Sequence, residues 1–172
     1  MRRMILALVL LSLPVGTLAG THRAGAGAGG GRANGSALYG VLISGELVVK
    51  HFGQSSPRDW TASAVAEFAW MSGDRNGDDS FDQSTLVVGG RLTFNTLKQI
   101  QPFGHGMVGR YWEKGPDSWA TVLGGGFDIP LGKVTSAEHP HWVIRIQGDN
   151  YWLAAQDRSY PQFTIQAIYR FE

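Results

Sequence analysis

The chain has 172 residues, 43% of them hydrophobic, with 24 glycines and 8 Phe, 6 Trp and 5 Tyr, a length that suits one domain. It has no cysteine, which excludes disulfide frameworks, thiolate zinc sites, iron–sulfur clusters and thiol nucleophiles. Fifteen Lys and Arg stand against 14 Asp and Glu with no basic run, so nothing marks a nucleic-acid surface.

Along the chain, Met1-Arg2-Arg3-Met4 forms a short positive start, followed by an apolar run from Ile5 to Leu13 and small residues at Thr17 and Ala19. This pattern predicts a signal peptide over residues 1–19, cut after Ala19, because the apolar run is too short to span a bilayer as a helix. Removing Arg2 and Arg3 takes the formal charge from +1 to −1. Residues 20–37, with Ala24-Gly25-Ala26-Gly27-Ala28-Gly29-Gly30-Gly31 at their centre, are low in complexity and predict a flexible linker. The domain proper is then residues 38–172. Its β-branched and aromatic runs predict seven strands, at 38–52, 60–71, 84–94, 101–112, 119–131, 141–153 and 162–171, separated by polar turn clusters.

These runs are long for a soluble sandwich, whose strands average about five or six residues, and match the ~9–11 residues of a tilted strand that crosses a bilayer. The last run places Phe163, Ile165, Ala167, Tyr169 and Phe171 on one face and Gln162, Thr164, Gln166, Ile168 and Arg170 on the other. The run from Ser84 sets Leu86, Val88, Gly90, Leu92 and Phe94 against Thr85, Val87, Gly89, Arg91 and Thr93. Trp60 and Trp70, and again Trp142 and Trp152, fall on apolar faces ten residues apart. At roughly 3.3 Å per residue and a tilt of about 40°, that spacing spans roughly 25 Å, the height of the apolar band of a membrane barrel. The four tryptophans therefore read as an aromatic girdle.

The opposite faces bring Glu46, Lys50, Glu67, Arg91, Arg110, Asp128, Arg145, Asp149 and Arg170 together inside the barrel. Charges in a narrow lumen must pair, since an unpaired ion away from bulk water is costly. We therefore expect a structural charge network of Glu46, Glu67, Arg91, Arg110, Asp128, Arg145 and Arg170. Gly89, Gly104, Gly106, Gly124 and Gly126 share that parity and leave room for the arginines. The run at 101–112 is mixed, with Phe103, His105, Met107, Gly109 and Tyr111 on its other face.

The segment Gln101-Pro102-Phe103-Gly104-His105-Gly106-Met107-Val108-Gly109, the Leu123-Gly124-Gly125-Gly126-Phe127-Asp128 run, Arg145 to Tyr151 and the terminal Ile168-Tyr169-Arg170-Phe171 resemble small bacterial outer-membrane β-barrel proteins of the OmpA-like transmembrane type. The resemblance is diffuse over residues 38–172 and strongest after Gln101. It implies an all-β, up-and-down antiparallel barrel of nominally eight strands, periplasmic termini, short periplasmic turns and longer outer loops. It also implies Sec export to the outer membrane of a Gram-negative envelope and contact with outer-membrane lipid. During biogenesis it implies periplasmic chaperones and the barrel-assembly machinery, with Tyr169 and Phe171 matching the assembly signal. Glu172 after that aromatic and a count of seven strands depart from the pattern, since bacterial single-chain barrels have even numbers. The missing strand is the first; otherwise the chain is truncated or divergent, the 38–52 run divides at Gly45, or the barrel closes imperfectly.

Chemical motifs are weak. Gly25-x-Gly27-x-x-Gly30 and Gly104-x-Gly106-x-x-Gly109 satisfy a dinucleotide fingerprint literally, but neither lies between a strand and a helix. Asp74 to Asp79 has its glycine at the fourth position rather than the sixth of a calcium loop, and His139-Pro140-His141 reads as a solvated turn. Ser84, His105 and Asp128 supply triad residue types without a spacing that joins them. No catalytic residue, metal site or cofactor is predicted. The expected function is non-enzymatic, structural or interaction-based, with a filled lumen. The alternatives are a narrow, porin-like gated pore and a soluble periplasmic lipid-binding barrel with the same apolar faces turned inward. Carbonate washing of membranes separates insertion from peripheral association: the chain is expected to stay in the pellet, and its release without detergent would count against a membrane barrel.

Overall fold

Eight antiparallel strands close into one barrel in sequence order, each paired with its chain neighbours and the last with the first. The computed structural model describes residues 22–33, 36–53, 59–75, 79–95, 99–113, 117–132, 142–155 and 157–171. The strands are β1 (His22–Ala33), β2 (Ser36–Phe52), β3 (Trp60–Arg75), β4 (Asp79–Phe94), β5 (Gln101–Trp112), β6 (Ser118–Pro130), β7 (Trp142–Leu153) and β8 (Arg158–Phe171). Seven of them coincide with the alternating runs, and the 38–52 run is not divided at Gly45. The expected signal peptide lies outside the described residues, as does the His139-Pro140-His141 turn.

The eighth strand is β1, and it corrects the reading of residues 20–37 as a linker. β1 pairs with β2 from His22↔Leu47 to Ala33↔Ser36, and with β8 from His22↔Phe171 to Gly31↔Gln162. Its repeat alternates with period two, Ala24, Ala26 and Ala28 on the outer face and Gly25, Gly27, Gly29 and Gly31 on the inner. The inner positions have no room for a side chain. A Cβ at Gly25 would meet the Ile168 side chain, one at Gly27 the Ile165 carbonyl, and one at Gly29 the Thr164 side chain. Hydropathy carries no trace of such a strand, because it contributes its backbone and almost no side chain.

The outer face is apolar: Val88, Leu92, Val108, Leu123, Phe127, Phe163 and Ile165 are all exposed. Trp70, Trp142 and Trp152 are exposed as well, and Trp60 shares the outer face of β3 and stacks on Phe52 with ring centroids 4.1 Å apart. Charged side chains fill the interior instead, Arg91, Arg145, Glu67 and Asp128 each exposing 1% or less. This polarity overturns the alternative of a soluble barrel with its apolar faces inward, since such faces turned outward need lipid rather than water.

Two details of the chain differ from expectation. The polar stretch 72–83 is not one loop: β3 and β4 continue through it, paired as far as Arg75↔Asp79. In consequence the connections at the rim opposite the termini are of 2, 3, 5 and 4 residues, whereas those at the terminal rim are of 7, 6 and 11. With the termini periplasmic, that reverses the short-inside, long-outside pattern. The second detail is a register shift between Val48 and Lys50, which leaves Lys50 exposed, its ammonium 4.9 Å from the Phe52 ring, rather than in the lumen.

Gly27→Val is expected to abolish the fast-migrating folded band on an unboiled gel, because the new side chain meets the backbone of β8 at the seam. Ala26→Val, on the exposed face one residue away, is expected to keep it.

Candidate functional site: a charge-balanced lumen

Inward parity on eight strands brings distant residues into one buried cluster in the terminal half of the barrel. Among the described residues it contains four guanidiniums, Arg23, Arg91, Arg145 and Arg170, and four carboxylates, Glu46, Glu67, Asp128 and Asp149. Glu46 is the hub. Its Oε2 accepts from Arg91 Nη1 at 2.9 Å and from Arg145 Nη2 at 3.0 Å, and its Oε1 from Arg23 Nη1 at 3.3 Å. Arg145 also grips Asp128 in bidentate fashion, Nε to Oδ1 at 2.7 Å and Nη2 to Oδ2 at 2.8 Å. That fork geometry is the strong form of the carboxylate pair. Arg91 Nη2 donates to Glu67 Oε1 at 2.9 Å and to Gln147 Oε1 at 3.2 Å. The guanidinium carbons of Arg91 and Arg145 lie 4.6 and 4.9 Å from the centre of the Phe103 ring, which adds a cation–π contact to each.

Neutral side chains complete the network. Gln147 Nε2 donates to Glu67 Oε2 at 3.1 Å and to Asp149 Oδ2 at 2.7 Å, and Ser44 Oγ donates to Gln166 Oε1 at 2.9 Å. Arg170 Nη2 donates to Gln101 Oε1 at 2.7 Å. His105 Nε2 lies 2.8 Å from Asp149 Oδ1, while its Nδ1 lies 3.4 Å from Arg91 Nη2. The neutral tautomer with its proton on Nε2 satisfies both contacts, donating to Asp149 and accepting from Arg91, and in that form the four-to-four balance holds.

The other half of the lumen is apolar and aromatic. Leu38, Val87, Met107, Val122, Leu153 and the tyrosines Tyr111, Tyr151 and Tyr160 pack there as one buried cluster. Tyr151 and Tyr160 stack with centroids 4.9 Å apart, and Tyr111 donates to Gln83 Oε1 at 2.8 Å. A uniformly polar interior was therefore only half of the arrangement.

Of the sequence-predicted network, Glu46, Glu67, Arg91, Asp128 and Arg145 meet directly, and Arg170 lies in the same half of the lumen. Arg110 does not join them and is corrected: it sits on the outer face of β5, pairs with exposed Asp117 at 3.4 Å and stacks over Trp119 at 5.3 Å. The cause is the face of β5. Phe103, His105, Met107 and Tyr111 point inward, so Gly104 and Gly106 point outward together with Arg110. Arg23, Phe103, His105, Gln147 and Gln166 are network members that the sequence reading missed. The triad residue types are not brought together, for Ser84 lies on the outer face of β4, Asp128 is held by Arg145, and His105 faces Asp149.

The fold and this interior define an eight-stranded transmembrane β-barrel of the bacterial outer-membrane type. No protein-family model and no curated protein sequence matches the chain. Solved structures do. Ail, the attachment invasion locus protein of Yersinia pestis, aligns at 16% identity over 88% of this chain and 99% of its own, with a TM-score of 0.56. Neisserial surface protein A aligns at 9% identity over 87% and 94% of the two chains, with a TM-score of 0.57. The outer membrane enzyme PagL aligns at 12% identity over 87% and 98%, with a TM-score of 0.50. These likenesses establish the shared fold, and one of those three barrels is an enzyme.

Glu46→Gln is expected to leave three guanidiniums around a neutral amide. Removing one partner of a buried ion pair typically costs about 3–5 kcal/mol. The urea midpoint of barrel unfolding in detergent is expected to fall accordingly, and much further than for Asp117→Asn at the exposed Arg110 pair.

Proposed function

We propose that the chain is an integral outer-membrane barrel with a structural or interaction role, that it performs no chemistry, and that it holds no through-pore. The observation that carries this reading is the filled lumen. A balanced ion network occupies the terminal half and an aromatic and aliphatic block the other, as suits an eight-strand interior just wide enough for its own side chains. The charges are spent on one another, so they do not line a conduit. Outer-membrane lipid is the partner that the exposed apolar face supports.

On this reading the chain is exported by the Sec pathway with residues 1–19 removed, and the termini lie in the periplasm. Barrel-assembly machinery then recognises the end of β8, where Tyr169 and Phe171 share the outer face. Tyr169 packs edge-on against Trp142 with centroids 5.0 Å apart, so the aromatic end of β8 is joined to the girdle. The short connections at the opposite rim argue against binding through long outer loops. Contacts with other molecules then fall to the lipid-facing wall and to the larger connections at the terminal rim.

Planar-bilayer recording tests the closed lumen. Purified, refolded protein is expected to give no steady conductance above the bilayer background; a steady open level would replace this reading with that of a narrow pore.

A further inference from the structure

The buried polar atoms without hydrogen-bond partners are not scattered. Among the described residues there are nine, and five of them lie on one stretch of the inner wall: Asp59 Oδ1, Thr61 Oγ1, Ser63 Oγ, Arg91 Nε and Thr93 Oγ1. Thr61 pairs across β3 and β4 with Thr93, and Ser63 pairs with Arg91, so the four strand positions form a compact square, with Asp59 just below it at the terminal rim. Thr61, Ser63, Arg91 and Thr93 are each exposed by 4% or less. Buried polar groups are normally satisfied, and a concentration of unsatisfied ones in a single place marks an absent partner.

The chemistry of the five atoms identifies that partner. An ionised Asp59 only accepts, Arg91 Nε only donates, and the three hydroxyls do both. From Asp59 to Ser63 the strand advances roughly 13 Å, too far for the two ends to satisfy each other. An anion at Arg91 Nε would face Glu46 and Glu67, which already hold the other two nitrogens of that guanidinium. A cation at Asp59 would have the Arg91 charge ahead of it along the same wall. A neutral molecule that both donates and accepts meets neither objection.

We infer that a file of ordered water runs along the inner wall of β3 and β4, from Asp59 at the terminal rim to Arg91 Nε in the middle of the lumen. Each water takes hydrogen bonds from one neighbour and gives them to the next, and a buried water usually makes about three. The file ends on a guanidinium whose Nη2 lies 3.4 Å from His105 Nδ1, so it connects the buried His105–Asp149 pair with the solvent of one compartment. Beyond that pair stands the tyrosine block. The lumen is in this sense a one-ended vestibule, a feature that rests on the non-conducting reading, whereas the file itself does not.

Two measurements test the file. Thr61→Val and Thr93→Val keep the side-chain shape and remove the hydroxyl. If water is present, each variant breaks the chain of hydrogen bonds and its urea midpoint falls below that of the parent. If the wall is dry, each variant relieves an unpaired hydroxyl, and a midpoint that rises or stays unchanged overturns the inference. Should a variant fail to fold, cross-relaxation between water and the methyl groups of the parent protein in nanodiscs decides. Cross-peaks to water are expected from the Thr61 and Thr93 methyls and none from Val122 in the apolar half; their absence at the threonines overturns the file. A steady bilayer conductance would overturn only the one-ended character and would leave both readouts as they stand.

Discussion

In hydrocarbon no water competes for backbone N–H and C=O groups, so every one of them must find a partner in the protein or cost several kcal/mol. For a sheet in lipid this leaves closure as the only solution, and closure here depends on β1. That strand is asked for its backbone alone: ten register pairs to β8 and twelve to β2 complete the ladder on both sides. A larger side chain on its inner face would stand where Ile168, Thr164 and the β8 backbone already are. The glycines are thus fitted to the narrowest requirement in the molecule, the close approach of the seam strands.

Closure in turn dictates the interior. Eight strands enclose a lumen about as wide as the side chains that line it, so inward residues must satisfy one another. Apolar and charged groups cannot mix freely there, and they separate along the barrel axis. Charges gather near the terminal rim, while tyrosines and aliphatic residues gather near the other. Glu46 shows why the charged half is a unit rather than a set of pairs. Its carboxylate touches guanidiniums from β1, β4 and β7, and those strands are spread around the circumference. The network ties non-adjacent strands to each other across the lumen, which the hydrogen-bond ladder cannot do.

The alternation of β2 to β8 was legible because lipid and lumen impose opposite chemistry on successive residues, and period two is hard to miss over a dozen positions. β1 was illegible for the same reason inverted, since glycine and alanine carry too little hydropathy to show a face. Their strict alternation was present at Ala24 to Gly29, but low complexity in a polar or small-residue tract is the usual mark of a linker. β5 misled differently. Phe103, Met107 and Tyr111 look like a lipid face and are in fact the inner face, because part of this lumen is apolar and because Phe103 serves two guanidiniums as a stacking surface. Arg110 was misplaced along with them. Contacts such as Glu46 with Arg145, 99 residues apart, follow only from the register of all eight strands.

The same reasoning bears on why barrels of 9% to 16% identity share this architecture. Lipid fixes the outward face as a class of residue rather than as particular residues, and the girdle needs aromatic rings only at the two interfaces. The lumen is more demanding, because a charge there must have its partner at the right height on another strand. A substitution at Val88 or Ile165 changes one lipid contact, whereas a substitution at Glu46 changes the environment of Arg23, Arg91 and Arg145 together. Individuality in such a protein therefore concentrates inside the barrel and at the rims, and likeness concentrates on the wall. The His105–Asp149 pair and the hydroxyl-lined stretch of β3 and β4 belong to that individual interior, and the alternating outer face belongs to the membrane.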